Sequence, residues 1–135
     1  MTIPASPEPN GFVSPNSETG LIIFAHGSRV EAANQSVRTV AGELADLGSF
    51  RYVEAAFLEL GRPDLQGAAN ALIAKGLNRI LVIPYFLTLG THLERDLPRL
   101  VGQIASVHPG LEIRVARPLD GHPSLVQILL DRSRE

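Results

Sequence analysis

The sequence predicts a three-layer α/β/α sandwich around a four-stranded parallel sheet, and three observations carry that expectation. Four short apolar runs of β type alternate with four stretches of helical spacing. The first run, Leu21 to Ala25, is continuously apolar rather than alternating, as in a strand buried on both faces. The unbroken βαβα order calls for parallel strands joined by right-handed crossovers, with helices on both faces of the sheet. The same rule predicts the strand order 2-1-3-4, with the switch point between the first and third strands.

Taken in order, the first strand leads into a helix marked by Ala33, Val37, Val40, Ala41, Leu44 and Leu47. Tyr52 to Leu58 forms the second strand, followed by helical spacing at Leu65, Ala68, Ala69, Leu72 and Ile73. The third strand covers Arg79 to Phe86. A third helix carries Leu100, Val101, Ile104 and Val107 and stops at His108-Pro109-Gly110. Its start has two candidates. Thr91-x-x-Glu94 has the form of a capping box, but a helix beginning there holds Pro98 in its interior. Asp96 as N-cap places Pro98 in the first turn, where proline is tolerated. The spacing therefore predicts a start at Asp96, with His92 on an ordered loop before it. Glu112 to Ala116 makes the fourth strand, and a short helix from about Ser124 to Arg132 closes the chain.

At 135 residues the chain suits one domain that folds without staples. A formal net charge of −2 argues against nucleic acid or an anionic membrane surface as partner. With no cysteine, disulfides, thiolate metal sites and thiol nucleophiles are excluded, so any metal must be held by His, Asp, Glu, backbone or water. That donor set suits cobalt, iron, nickel or zinc. Residues 1–20 hold four prolines and no basic residue, and read as a disordered leader rather than a signal peptide. Residues 21–135 form the folded domain. The run Ile80 to Leu89 is too short to span a bilayer and contains Pro84, so a cytoplasmic location is expected.

The chemistry-bearing residues stand where the strands end. The first strand runs into Ala25-His26-Gly27-Ser28-Arg29, the second into Leu58-Glu59-Leu60-Gly61-Arg62-Pro63, and the third into Gly90-Thr91-His92. His26, Glu59 and His92 are separated by 33 positions each, about one βα unit. In a parallel sheet that spacing returns the chain to the same edge, where ligands bind. Each residue alone has an ordinary explanation: a loop histidine at a helix start, a solvated carboxylate, a surface histidine in a turn. Together, two imidazoles and a carboxylate at three successive strand ends make a site for a divalent metal, with positions left open. His108 reads as a helix C-terminal cap and His122 as a turn histidine. Arg29, Arg62, Arg95 and Arg99 lie on the connections leaving the first three strands.

Three pieces, Phe24-Ala25-His26-Gly27-Ser28-Arg29, Ala56-Phe57-Leu58-Glu59 with Pro63, and Val82-Ile83-Pro84-Tyr85-Phe86-Leu87 followed by Gly90-Thr91-His92 and Asp96-Leu97-Pro98, resemble the class II chelatases of the CbiX and SirB type. These are the sirohydrochlorin cobaltochelatases and ferrochelatases, and the resemblance runs from about Leu21 to the end. It implies insertion of a divalent metal into a tetrapyrrole, with His26 and His92 as the metal-binding histidines and Glu59 as the acidic ligand. One of the three would also accept a pyrrole proton. The family's substrate carries many carboxylates, which gives Arg29, with Ser28, Gly90 and Thr91 beside the histidines, a substrate-binding role. The metal is then substrate, no organic cofactor is needed, and the chain is similar in length to the short members, which work as homodimers.

Two other functions compete. A phosphatase with an Arg-His-Gly motif is set aside because Ala25, not arginine, precedes His26. A metal carrier or sensor on the same fold would use the same three ligands, and only turnover with a tetrapyrrole separates it from the chelatase.

Overall fold

A computed structural model describes residues 18–135 of the chain. Four strands and four helices alternate: β1 (Gly20–Ala25), α1 (Glu31–Gly48), β2 (Val53–Phe57), α2 (Leu65–Ala74), β3 (Arg79–Pro84), α3 (Thr91–Ser106), β4 (Glu112–Val115) and α4 (Pro123–Ser133). The strands are all parallel in the order β2-β1-β3-β4, as the crossover rule predicts. The expected disordered leader lies almost wholly outside the described residues. Thr19 is buried, and Gly20 already pairs with Ile80.

Every residue of β1 is buried, because the strand is central and has helices on both faces. Its side chains divide between two cores. Ile22 and Phe24 pack with Ala56, Ile80 and Val82 against α2 and α3, through Leu72, Leu97 and Ile104. Ile23 and Ala25 pack with Ala55 and Phe57 against Val37 and Ala41 of α1. Complete burial of one such aliphatic or aromatic side chain contributes roughly 1.5–3 kcal/mol. The sheet thereby fixes the carboxyl ends of β1, β2 and β3 along one rim.

The outer edge is different. In β4 only Ile113 is partly covered, and no residue of α4 is buried. Pro123 stands in the first turn of α4, where its missing N–H costs nothing, and the imidazole of His122 caps the helix by accepting from the Ser124 N–H at 3.1 Å.

The start of α3 overturns the expectation based on Pro98. The helix begins at Thr91, with Gly90 as N-cap and Pro98 inside it. Asp96 is therefore a helical residue, and the capping box is not formed either, since the N-cap makes no side-chain bond. The reason lies in packing. Leu93 and Leu97, four residues apart on one face, are both buried with Ile104 in the α2–α3 core. A helix starting at Asp96 forfeits Leu93. An interior proline costs about 3 kcal/mol, and the burial of Leu93, at roughly 1.5–3 kcal/mol, offsets much of it.

Candidate metal centre

β1 delivers His26 and β2 delivers Glu59 to the carboxyl rim, and the backbone ties the two connections together. Leu58 N–H donates to the Ala25 carbonyl at 2.9 Å and Glu59 N–H to the His26 carbonyl at 3.1 Å, so the parallel ladder continues past both strands. Gly27 makes this approach possible. Its φ is +95°, and a methyl group there would fall onto the Glu59 carbonyl oxygen.

The side chains meet as well. His26 Nε2 lies 3.5 Å from Glu59 Oε2, and both side chains are more than half exposed, at 58% and 56%. The other ring nitrogen, Nδ1, lies 3.2 Å from the Gly27 carbonyl oxygen. A carbonyl only accepts, so that bond places a hydrogen on Nδ1, and in the neutral ring the Nε2 lone pair then faces the carboxylate. Metal-binding histidines are oriented in this way, with the remote N–H held by a backbone carbonyl. The separation also fits. Two ligand atoms about 2.1 Å from a tetrahedral ion stand about 3.4 Å apart. Two acceptors at that distance repel unless a cation or a proton lies between them.

His92 sits in the first turn of α3, exposed, rather than on a loop before the helix. Its Nδ1 lies 3.2 Å from Arg95 Nη2. Guanidinium only donates, so the Nδ1 lone pair is the acceptor there. Among the described residues, no group of three or more His, Asp or Glu side chains is gathered closely enough to hold a metal ion. The structure thus joins His26 to Glu59 and leaves His92 at the β3 end of the rim, held by Arg95.

Of the flanking residues, Ser28 is half-buried, while Arg29, Gly90 and Thr91 are exposed. Arg99 pairs with Asp96 at 3.3 Å, and Arg95 stands 3.9 Å from the same carboxylate. His108 follows Val107, the C-cap of α3, and its Nε2 reaches Asn70 of α2 at 3.2 Å, tying the turn after α3 to α2. A cavity of about 250 Å³ behind the rim, lined by Phe24, Leu58, Leu65, Leu100 and Ile104 among others, is smaller than the roughly 300–1,000 Å³ of small-molecule sites.

Sequence reasoning missed Asn34, which is 2% exposed. It bridges the loops that carry His26 and Glu59. One signal was present: Asn34 shares the buried stripe of α1 with Val37 and Ala41, so a polar residue stands at a core position.

A doubly wound parallel sheet with a His–carboxylate pair at its carboxyl rim defines an α/β domain built to take a small ligand or ion at its strand ends. The CbiX family pattern matches residues 20–135, and the chain belongs to that family. It is 30% identical to the sirohydrochlorin cobaltochelatase of Methanopyrus kandleri, over 85% of this chain and 94% of the relative. It is also 30% identical to the chloroplastic sirohydrochlorin ferrochelatase of Arabidopsis thaliana, over 84% of this chain and 50% of the longer relative. Among solved structures it is similar to the sirohydrochlorin chelatase SirB from Bacillus subtilis subspecies spizizenii in complex with cobalt. There the TM-score is 0.81 and the identity 25%, over 87% of this chain and 50% of the other.

Proposed function

We propose that this protein is a sirohydrochlorin metal chelatase that inserts cobalt or iron as the divalent ion into sirohydrochlorin or a related tetrapyrrole. The observation that carries the reading is the His26–Glu59 pair, 3.5 Å apart, with the imidazole oriented by the Gly27 carbonyl. The cobaltochelatase and ferrochelatase names of its relatives supply the reaction class. The folded domain, from Gly20 to residue 135, carries the whole site. The chain works in the cytoplasm.

The metal is substrate, and the reading needs no organic cofactor. His26 Nε2 and Glu59 Oε2 take the ion at the rim, and His92 supplies a third ligand by exchanging its contact with Arg95 for the metal. An exposed site with unfilled positions captures an ion and releases it again. Insertion expels two pyrrole protons, and binding by neutral imidazole already couples metal occupancy to proton release. As the ion leaves for the macrocycle, His26 and Glu59 become free to accept those protons. Arg29 meets substrate carboxylates, with Ser28, Gly90 and Thr91 lining the approach.

The active form is a homodimer. A single half-size domain gives a shallow rim at its strand ends, narrower than a tetrapyrrole, so a second wall is needed. The helix α4 offers the surface: Val126, Leu129 and Leu130 fall at helical spacing and are 69%, 69% and 42% exposed. Apolar patches of this kind mark interfaces, and a two-fold pairing covers such a patch with its own copy.

Anaerobic incubation with sirohydrochlorin and Co²⁺ or Fe²⁺, followed by absorption, tests the proposal. Metal-dependent spectral change at rates far above the uncatalysed reaction is expected. Tight metal binding without any such change would support the carrier reading instead.

A further inference from the structure

We infer that Asn34 is a positioning residue for metal capture, acting as a clasp that sets the spacing of His26 and Glu59. This rests on the assignment of those two residues as ligands in the proposed function. Asn34 belongs to α1 and contacts neither ligand side chain, yet it is one of two buried polar residues among those described, the other being Thr19.

Its amide is saturated in a single orientation. Oδ1 accepts from the Ser28 N–H at 2.9 Å. Nδ2 donates to the Ser28 carbonyl at 2.9 Å and to the Leu60 carbonyl at 2.9 Å, with Glu31 Oε1 further off at 3.3 Å. Reversal of the amide would set its oxygen against two carbonyls, so the assignment follows from the partners. Ser28 is two residues beyond His26, and Leu60 is one beyond Glu59. One buried side chain therefore holds both ligand loops. Leu60 itself has φ +58°, a backbone conformation that a non-glycine residue keeps only when its surroundings impose it.

The neighbouring turns of α1 extend the grip. Arg38, four residues on, donates to the Arg62 carbonyl at 3.1 Å, pairs with Glu31 at 2.7 Å, and lies over the Phe57 ring at 5.2 Å. The Glu59 loop is thus held to α1 at Leu60 and at Arg62, on either side of Gly61. Because His26 and Glu59 are exposed and bonded to little else, the separation of their side chains is only as well defined as that of their loops. A clasp in the core fixes what solvent-exposed ligands cannot fix themselves.

The substitution Asn34→Asp tests this. The carboxylate keeps the bond from the Ser28 N–H but faces the Leu60 and Ser28 carbonyls with oxygen, so the tie to the Glu59 loop is lost. Cobalt(II) titration of the full chain should show affinity weakened about tenfold or more, the usual effect of losing a group that orients a metal ligand, with sirohydrochlorin binding within about twofold of wild type. In a Glu59→Ala background the same substitution should change cobalt affinity little, since no carboxylate remains to be positioned. Equal losses with and without Glu59 would overturn the proposal, as would wild-type affinity in a folded Asn34→Asp chain. Should the aspartate variant not fold, Asn34→Ala takes its place. Amide exchange in the wild-type chain gives a further check: the Ser28 N–H should be protected like the core of β1, and exchange at the rate of an open loop would refute the clasp. If wild-type protein binds cobalt with an affinity that His26→Ala leaves unchanged, it is the ligand assignment that fails, not the clasp.

Discussion

The two halves of the sheet are finished to different degrees. On the β2–β1 side, both faces are covered, the ladder runs past the strand ends, and a buried asparagine holds the loops beyond. On the β3–β4 side, the last strand is mostly exposed, the last helix buries nothing, and the histidine at the rim is held by one arginine. The contrast separates two tasks. In the proposed reading, one half fixes a pair of ligands by its own packing, and the other keeps a third ligand and an apolar face for a second copy. A self-sufficient half is expected to respond to substitution through stability and metal affinity, and the unfinished half through assembly and turnover.

The largest effect expected lies in the finished half. Phe24 is fully buried at the centre of β1 and meets Phe86 edge-on at 6.1 Å. Phe24→Ala should cost about 3–5 kcal/mol of stability, read by chemical denaturation. Leu129→Ala in a monomeric background should stay within about 0.5 kcal/mol, as exposed positions do. If the two costs are alike, the halves do not differ as described.

Next comes the site. His26→Ala removes a proposed ligand of the fixed pair and should lower insertion on the order of 100-fold or more, since losing even the groups that support a ligand costs 10–100-fold. Circular dichroism should be unchanged. His92→Ala should also remove most turnover, but with a smaller loss of cobalt affinity than His26→Ala. Glu59→Gln keeps the shape of the side chain and removes its charge, so cobalt capture should weaken more than tetrapyrrole binding. A His92→Ala chain that inserts metal at the wild-type rate would exclude that residue from the site.

Leu129→Asp addresses the unfinished half. A charge at the centre of the α4 face should weaken self-association by about 2 kcal/mol or more, the cost of losing an interface hot spot. Light scattering should then show a monomer whose insertion rate has fallen while cobalt affinity is retained. An active monomer would break the link between assembly and turnover.

The smallest effect belongs to Glu31. Its carboxyl is held below the ordinary glutamate range, first by the hydrogen bond from Arg38 and then by that from Asn34. A lowered folded-state value means that this contribution to stability is present above the unfolded carboxyl range and fades as pH falls through the folded value. Because the group is exposed, Glu31→Gln should change stability slightly at neutral pH and not at all in acid. A loss that persists in acid would assign the role to shape rather than charge.

How far the sequence reveals this molecule follows the range of the forces involved. Strand order was legible because chirality and burial act on whole elements, and the continuous apolar run of Leu21 to Ala25 declares the central strand. The start of α3 was misread because Pro98 is a local signal, whereas the burial of Leu93 that opposes it needs α2 and the sheet in place. The pairing of His26 with Glu59 follows from the topology. Asn34 stayed hidden because its partner at Leu60 lies 26 residues away, and an asparagine within a helix reads as polar surface until the loop that covers it is known.

Gly27 has a consequence for engineering metal preference. The gap between the two ligand loops is set by an atom that is missing, the β-carbon of residue 27, and any side chain there collides with main chain that has no rotamer to yield. Position 27 is therefore closed to mutational search. Across the gap, an added methyl at Gly61 would meet the buried Phe57 ring at 2.9 Å and the Asn34 amide at 3.1 Å, so a larger residue 61 needs a compensating change at residue 34. A library that varies residues 34 and 61 together samples the bite of the site in small steps, and selection for nickel over cobalt on such a library should find its winners there.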